Sequence, residues 1–118
     1  MPHCLIEGSR TLQALLDPDE LVRLVHDTAA ASALFKPGEV KVRLNLYEHY
    51  CVGGEQADFI HLIFFILAGR TDEQKKHLSM MLVRALVQRL PSVEVVSVDV
   101  RDIAREAFSN KRSCLEAS

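Results

Sequence analysis

The chain carries the same succession of sequence patterns twice, and this repetition is what most restricts its fold. Each time, a strand pattern is followed by a capped helix of about four turns and then by a second strand. Sequential parallel strands need a crossover of this length, which is right-handed. We therefore predict an α+β fold of two tandem β-α-β units, with a four-stranded mixed sheet and two helices on one face. The predicted single domain spans residues 1–118, with halves of about 2–50 and 58–105.

Alternation and apolar runs mark the strands. The predicted strands are Pro2–Gly8, Val40–Tyr47, Phe59–Leu67 and Val93–Val100. The third of these is an apolar run interrupted only by His61, which is typical of a strand covered on both faces. Two helices on one face of the sheet leave the other face uncovered. We infer that this second face is apolar and is buried by oligomerisation.

Capping signals mark the helices. Asp17 with Pro18 begins a helix that is predicted to run to about Ala33, and Thr71 begins a second one that ends at Leu90-Pro91. Three connecting segments are less regular. The first is a glycine-containing loop at Cys51–Glu55, which forms either a hairpin or a crossing. The second is a short helix or turn at Asp102–Phe108, and the third is a frayed end at Asn110–Ser118.

The composition excludes several classes of function. A net charge of −2 without a basic block argues against nucleic acid as a partner. No stretch reaches the roughly 18 apolar residues of a membrane span, and the N-terminus lacks a signal-peptide pattern, so we expect a cytoplasmic protein that does not bind membranes. The three scattered cysteines are expected to be free thiols. The histidines show no metal-ligand spacing and no phosphate-binding loop occurs, so we predict neither a metal nor a cofactor.

Pro2 is the most distinctive candidate for chemistry. If Met1 is removed, the new N-terminus is a secondary amine on a rigid ring, and a strand that starts at once would hold it in place. An α-amine has a pKa of roughly 7.7–8.0, which burial or nearby cations lower because both disfavour the protonated form. Pro2 could then act as a general base near neutral pH. A Met-Pro start also occurs in many proteins with no such role.

Four cations lie where they could bind carboxylates. Lys41 and Arg43 are two apart on a strand and therefore share a face. Arg70 follows Ala68-Gly69 at a strand-to-helix junction, and Arg10 occupies the corresponding junction after the first strand. Such a cluster would hold a carboxylate and lower the pKa of a neighbouring amine. The alternative is that these side chains are ordinary solvated surface charges.

Two segments resemble the tautomerase superfamily. Residues 66–75, from Ile66 through Gly69-Arg70 to Lys75, are similar to the strand-to-helix segment of 4-oxalocrotonate tautomerase. Residues 40–43, with residues 50–54 after them, resemble a later segment of that enzyme. The layout of two fused units is most similar to the 5-carboxymethyl-2-hydroxymuconate isomerase family. Pro2-His3, Ile6-Glu7, the region from Phe35 to Arg43, Phe59–His61 and Ala68–Arg70 all agree with that family.

The resemblance implies a function and a set of roles. It implies a cofactor-independent keto–enol isomerase of aromatic catabolism. The substrate implied is a small unsaturated di- or tricarboxylate with a 2-hydroxy or 2-oxo group, and the assembly implied is a homotrimer. Pro2 matches the catalytic proline and Arg70 a carboxylate-binding arginine. Lys41 falls where the family has a second functional arginine, so either Lys41 or Arg43 takes that role. Tyr50 lies near a position that lines the pocket in smaller relatives.

Two other interpretations of the sequence stay open. The same order of elements describes ferredoxin-like modules that bind small ligands or assemble into oligomers without catalysis. A relative that kept the scaffold and lost efficient isomerase activity is also possible, because lysine at position 41 lacks the bidentate fork of arginine.

Overall fold

The computed structural model describes residues 1–117. Its strands are β1 (His3–Ser9), β2 (Lys41–Tyr47), β3 (Phe59–Leu67) and β4 (Val95–Ile103). Its helices are α1 (Pro18–Ala31), α2 (Asp72–Arg89) and a short α3 (Lys111–Glu116), with 3-10 turns at Arg10–Ala14 and Arg105–Ala107. The chain order is thus β1-α1-β2 followed by β3-α2-β4, as the repeated pattern predicts.

Both long helices begin at the predicted caps. The Asp17 carboxylate accepts hydrogen bonds from the backbone N–H groups of Asp19 and Glu20, and Pro18 stands in the first turn. Thr71 and Gln74 form a reciprocal capping box at the start of α2. These local bonds satisfy backbone donors that a helix start would otherwise leave unpaired, so the two starts are readable from the sequence alone.

The sheet order is β2-β1-β3-β4. Each β-α-β unit contributes a parallel pair, β1 with β2 and β3 with β4, and the two units join through antiparallel β1 and β3. The predicted α+β class with a mixed sheet is therefore confirmed. In ferredoxin-like split units the two strands of a β-α-β unit are separated by another strand. Here they are adjacent, so the ferredoxin-like reading is wrong.

The core lies between the helices and one face of the sheet. Alternate residues of β3 point into it, and each is fully buried: Ile60, Leu62, Phe64 and Ile66. Three leucines spaced four apart on α2, Leu78, Leu82 and Leu86, cover them. The four-residue spacing on the helix and the two-residue period of the strand thus place both sets of apolar side chains in the same core.

The opposite face of the sheet differs from the prediction. Apolar Leu5, Ile63 and Phe65 form a half-buried strip along β1 and β3. The outer strands β2 and β4 place polar side chains beside it, among them Lys41 and Arg101. The predicted apolar face is therefore apolar only in part, because polar side chains on the outer strands stand beside its apolar residues.

Two local predictions change, and the glycine loop takes the hairpin form of its two predicted alternatives. Helix α1 ends at Ala31 because the Ser32 hydroxyl donates to the Ala29 carbonyl and Ala33 takes a left-handed φ of 63°. The glycine loop is a tight local turn in which Val52 and Glu55 pair. The segment expected to be frayed contains α3, since Asn110 and Ser113 form a second reciprocal capping box.

Among residues 1–117, no helix is long and apolar enough to cross a bilayer.

Candidate active site

A cavity of about 280 Å³ lies at the end of the sheet where β1 begins. Because β1 and β3 are antiparallel, the start of one strand stands beside the end of the other. Pro2 is buried in the wall of this cavity. The other lining residues are Met1, Phe35, Lys36, Glu39, Ile66, Leu67, Arg70 and Arg105. The fold therefore brings Pro2 and Arg70, which are far apart in the sequence, to the same cavity.

A larger open groove of about 680 Å³ runs between α1 and α2. Its lining comes mostly from exposed side chains of those helices, including Arg23, Asp27 and Arg89. Size alone is a weak guide to a site of proton transfer, which needs a desolvated titratable group. We therefore place the candidate site in the smaller cavity, against which Pro2 is buried.

Lys41 flanks the N-terminus. Its backbone N–H donates to the Pro2 carbonyl at 3.2 Å, and its Nζ donates to the Glu39 carbonyl at 2.6 Å. With Met1 in place, the free amine belongs to Met1. Burial lowers the pKa of this amine, and the hydrogen bond and charge of Lys41 lower it further, while the charge of Glu39 opposes the effect. The N-terminus is thus held in surroundings that favour a neutral amine.

Arg43 acts on the next residue of β1. Its Nη1 lies 3.0 Å from Nδ1 of His3, so that nitrogen accepts and the imidazole is neutral. Burial lowers the pKa of His3, and the charges of Arg43 and Lys41 lower it further. Both Lys41 and Arg43 are exposed and neither lines the Pro2 cavity, but Lys41 contacts the N-terminal segment directly. Of the two predicted cations on β2, Lys41 is therefore the one next to the N-terminus.

Arg70 is fixed by contacts to the segment after α1. Its Nη2 donates to the Leu34 carbonyl at 2.6 Å, and its guanidinium carbon lies 5.2 Å from the centroid of the Phe35 ring. Phe35 in turn stacks on buried Phe64, with ring centroids 5.6 Å apart. Gly69 just before Arg70 has a φ of +135°, which only glycine adopts without strain. This turn and these contacts hold the guanidinium at the cavity.

Tyr50 lies at the other end of the sheet. Its hydroxyl is 3.3 Å from the Thr11 hydroxyl, and its ring packs on Phe59 at the start of β3. The length of β1, roughly 20 Å, separates that end from Pro2. Within one chain Tyr50 does not join Pro2 and Arg70. Arg10 is at this far end as well, in an ion pair of 3.5 Å with Glu48.

Sequence reasoning missed Arg105. It follows β4 by two residues and lines the cavity, and its Nε donates to the Ala68 carbonyl at 2.6 Å. The signal that could have found it is topological. Because β3 and β4 are parallel neighbours, the residues after β4 must lie beside the residues after β3. Phe35, Lys36 and Glu39, from the segment before β2, were missed for the same reason.

The charge balance of the cavity is positive. Lys36, Arg70 and Arg105 line it together with one acidic residue, Glu39. In the part of the chain that the structure describes, none of these three cations has a carboxylate within 4.0 Å. The neighbouring thiol of Cys4 is buried in the core, and burial raises its pKa to about 12, so it is not a nucleophile. The cavity is suited to an anion beside the N-terminus.

A comparison of sequences decides the family. The sequence model of 5-carboxymethyl-2-hydroxymuconate isomerase matches residues 2–111, nearly the whole chain. The chain belongs to the 5-carboxymethyl-2-hydroxymuconate isomerase family. It is a tautomerase-type isomerase, as the resemblance implies. No curated protein matches the sequence closely enough to add a relative of known activity.

Solved structures show the same fold at low identity. A 5-carboxymethyl-2-hydroxymuconate isomerase from Deinococcus radiodurans R1 is 21% identical, with 93% of this chain and 88% of that chain covered and a TM-score of 0.82. A protein named Pt0534, inactivated by 2-oxo-3-pentynoate, is 17% identical, with coverage of 98% and 99% and a TM-score of 0.81. A fused 4-OT named F6, an asymmetric trimer, is 17% identical, with coverage of 98% and 99% and a TM-score of 0.76.

Proposed function

We propose that this isomerase uses the amine of Pro2 as its general base, after removal of Met1, and needs no cofactor. The observation that supports this most is the burial of Pro2 against a cavity that also contains Arg70 and a surplus of positive charge. A buried amine beside cations is more easily kept neutral, which a base requires. While Met1 is attached, the nitrogen of Pro2 is an amide and has no basic electron pair.

The proposed reaction moves one proton and leaves the composition of the substrate unchanged. The neutral amine of Pro2 takes the hydroxyl proton of a conjugated 2-hydroxy acid. The electron pair of that O–H bond forms the 2-oxo group, and the double bonds shift along the chain. The protonated amine then returns the proton to a carbon further along the conjugated system. Positioned proton transfer of this kind contributes roughly 10²–10⁴-fold.

The cations have separate proposed tasks. Arg70 binds a substrate carboxylate and stabilises negative charge as it develops on the dienolate oxygen. Lys41, next to the N-terminus, keeps the pKa of the Pro2 amine low. Arg43 acts one step further away, since it donates to His3, whereas Lys41 lies beside the N-terminal amine. Lys41 therefore takes the second cationic role, and its missing bidentate fork matters less for an electrostatic task.

The proposed substrate is an unsaturated 2-hydroxy or 2-oxo di- or tricarboxylate. The family and one of its solved members are named for 5-carboxymethyl-2-hydroxymuconate, which is such a compound. This substrate class would give the protein a role in the breakdown of aromatic compounds in the cytoplasm. The positive balance of the cavity suits a substrate that carries more than one carboxylate.

We also propose a homotrimer. Fused 4-OT proteins with this fold are symmetric or asymmetric trimers. The half-buried strip of Leu5, Ile63 and Phe65 on the open face of the sheet would be covered by a neighbouring subunit. A trimer is also the way in which Tyr50, remote from Pro2 in its own chain, could line a site of the adjacent subunit.

The test joins the mass of the protein to its activity. We expect the protein from its native cell to lack Met1, as its mass will show. We also expect it to convert 5-carboxymethyl-2-hydroxymuconate, which is measured by the loss of the dienol absorbance. Pro2→Ala should remove most of the turnover without changing the thermal unfolding curve. Pro37→Ala, in an exposed turn, is the matched control and should keep full activity.

Two results would contradict the proposal. One is full activity in protein whose mass still includes Met1. The other is a processed wild-type protein that isomerises neither this substrate nor 2-hydroxymuconate nor phenylpyruvate, which would favour a scaffold that has lost the reaction.

A further inference from the structure

We propose that Arg105 is a second substrate-binding residue, which works beside Arg70 and makes the site selective for substrates with two carboxylates. This inference rests on the proposed function, because it assigns a ligand to the same cavity. Arg105 was not among the residues that the sequence singled out. Its assignment depends on position, anchoring and charge, which are separate observations.

The first observation is the way Arg105 is held. Its Nε donates to the Ala68 carbonyl at 2.6 Å, which fixes the plane of the guanidinium against the turn that follows β3. A Cβ added at Gly69 would lie 3.5 Å from the Arg105 Nη2, so the guanidinium rests on this glycine. The two Nη nitrogens remain to bind a ligand, because a carbonyl occupies only Nε. Arg105 is thus positioned before any substrate arrives.

The second observation is the parallel with Arg70. Each of the two guanidinium groups is tied to a backbone carbonyl by a bond of 2.6 Å, Arg70 to Leu34 and Arg105 to Ala68. Each lines the Pro2 cavity. By contrast, Arg89, Arg101 and Arg112 are each within 3.0 Å of a carboxylate of the chain. Carbonyl anchoring orients a guanidinium without neutralising it, so both charges stay available for an anion.

The third observation is the number of charges. Lys36, Arg70 and Arg105 contribute three positive charges to the lining, and Glu39 contributes one negative charge, which leaves an excess of two. A ligand with one carboxylate would neutralise half of this excess, whereas a ligand with two would neutralise all of it. Like charges that share one cavity repel each other until an anion neutralises them, so the site should prefer dianions. Arg105 supplies half of the excess.

The experiment compares two ligands that differ by one carboxylate. trans,trans-Muconate is a six-carbon unsaturated dicarboxylate, and sorbate has the same carbon chain with a single carboxylate. Binding to the processed protein is measured by calorimetry for the wild type, Arg105→Met, Arg105→Lys and the control Arg84→Met, an exposed residue of α2. We expect wild type to prefer muconate. Arg105→Met should weaken muconate roughly tenfold and leave sorbate unchanged, since an exposed charged hydrogen bond is lost.

The two further variants separate charge from shape. Arg105→Lys should keep a good part of the preference for muconate because it keeps the charge, and Arg84→Met should bind both ligands like the wild type. Equal binding of muconate and sorbate by the wild type would overturn the inference. Unchanged muconate binding in Arg105→Met, or an equal loss for both ligands, would overturn it as well.

Failure of this inference is distinguishable from failure of the proposed function. Binding is measured without turnover, so an Arg105-dependent preference for muconate stands even in a protein that isomerises nothing. Conversely, a Pro2-dependent isomerase whose muconate binding ignores Arg105 keeps the function and loses this inference. In an active enzyme, Arg105→Met should raise KM for the dicarboxylate substrate far more than it lowers kcat.

Discussion

The two ends of the sheet are built from similar parts and are completed in opposite ways. At one end Pro2 precedes β1 and Arg70 follows β3. At the other end Asp58 precedes β3 and Arg10 follows β1. At each end, the residue before one central strand thus lies beside an arginine that follows the other central strand: Pro2 with Arg70, and Asp58 with Arg10. The ends differ in whether the chain itself supplies hydrogen-bond or ion-pair partners for these residues.

At the far end, polar groups satisfy one another. The Asp58 carboxylate accepts hydrogen bonds from the hydroxyls of Ser9, at 3.2 Å, and Thr11, and Arg10 pairs with Glu48. At the Pro2 end, Arg70 meets a carbonyl and an aromatic ring, and no carboxylate of residues 1–117 pairs with it. The same scaffold therefore makes one end whose polar groups are paired and another whose cations keep no carboxylate partner among the described residues, according to where its carboxylates fall.

The largest expected effect separates the two junction arginines. Arg70→Met should lower kcat/KM for a 2-hydroxymuconate-type substrate by roughly 10²–10³-fold, because a preorganised donor to developing charge is removed. Arg10→Met, at the far end, should change it less than about threefold, since a surface ion pair contributes only about 0–1 kcal/mol. Steady-state kinetics of both variants measure the difference. Equal losses of kcat/KM in the two variants would contradict the proposed difference between the two ends of the sheet.

The next effect is on stability at the far end. Asp58→Ala removes the nearer of two acceptors of the fully buried Ser9 hydroxyl and should lower the free energy of unfolding by about 1–3 kcal/mol. Urea titration measures this loss. Pro2→Ala, at the open end, should leave the midpoint almost unchanged. An Asp58→Ala variant as stable as the wild type would show that this end is not held together by its polar groups.

A third prediction concerns pH. The pKa of the N-terminal amine is lowered by burial and by Lys41, and we expect the same direction for the Pro2 amine after processing. The neutral amine is the active form, so kcat/KM rises as pH rises through this pKa. Lys41→Met should shift the rising limb to higher pH, whereas Lys76→Met, on an exposed part of α2, should not. If the rising limb of the kcat/KM profile lies at the same pH in Lys41→Met as in the wild type, Lys41 does not lower the pKa of the amine.

The smallest effect is the pH dependence of stability at the Pro2 end. The folded pKa of His3 is lowered from 6.5, so the unfolded chain binds more protons near that pH. The contribution is present above pH 6.5 and is lost as pH falls through the folded pKa. His3→Gln should therefore flatten the decline of unfolding free energy between pH 7.5 and 5, by urea titration at each pH. An identical decline would exclude His3 as its source.

Much of the architecture was predictable because its signals are local. The capping residues Asp17 and Thr71 act within one helical turn, and the repeated strand-helix-strand pattern leaves few topologies. The end of α1 and the existence of α3 were not predicted. Both depend on side-chain to backbone bonds of Ser32 and Asn110, which compete with continued helix or coil by small energies.

The candidate site divides in the same way. Pro2 and Arg70 stood out as unusual residue types at a chain start and a strand-to-helix junction. Arg105 carried no such mark, and Tyr50 looked nearer to the site than it is within one chain. The sequence left open whether Lys41 or Arg43 takes the second cationic role, and the structure separates them because Lys41 lies beside the N-terminal amine and Arg43 beside His3.

By itself the sequence determined the order of the elements, the starts of the long helices and the presence of a potential proline base, because periodicity, capping and residue type act over a few neighbours. Only the tertiary structure decided which ends of which strands meet, and therefore that Arg105 faces the same cavity as Pro2 while Tyr50 does not. The physical reason is that strand pairing joins residues far apart in the chain, and its direction sets which of them share an edge of the sheet.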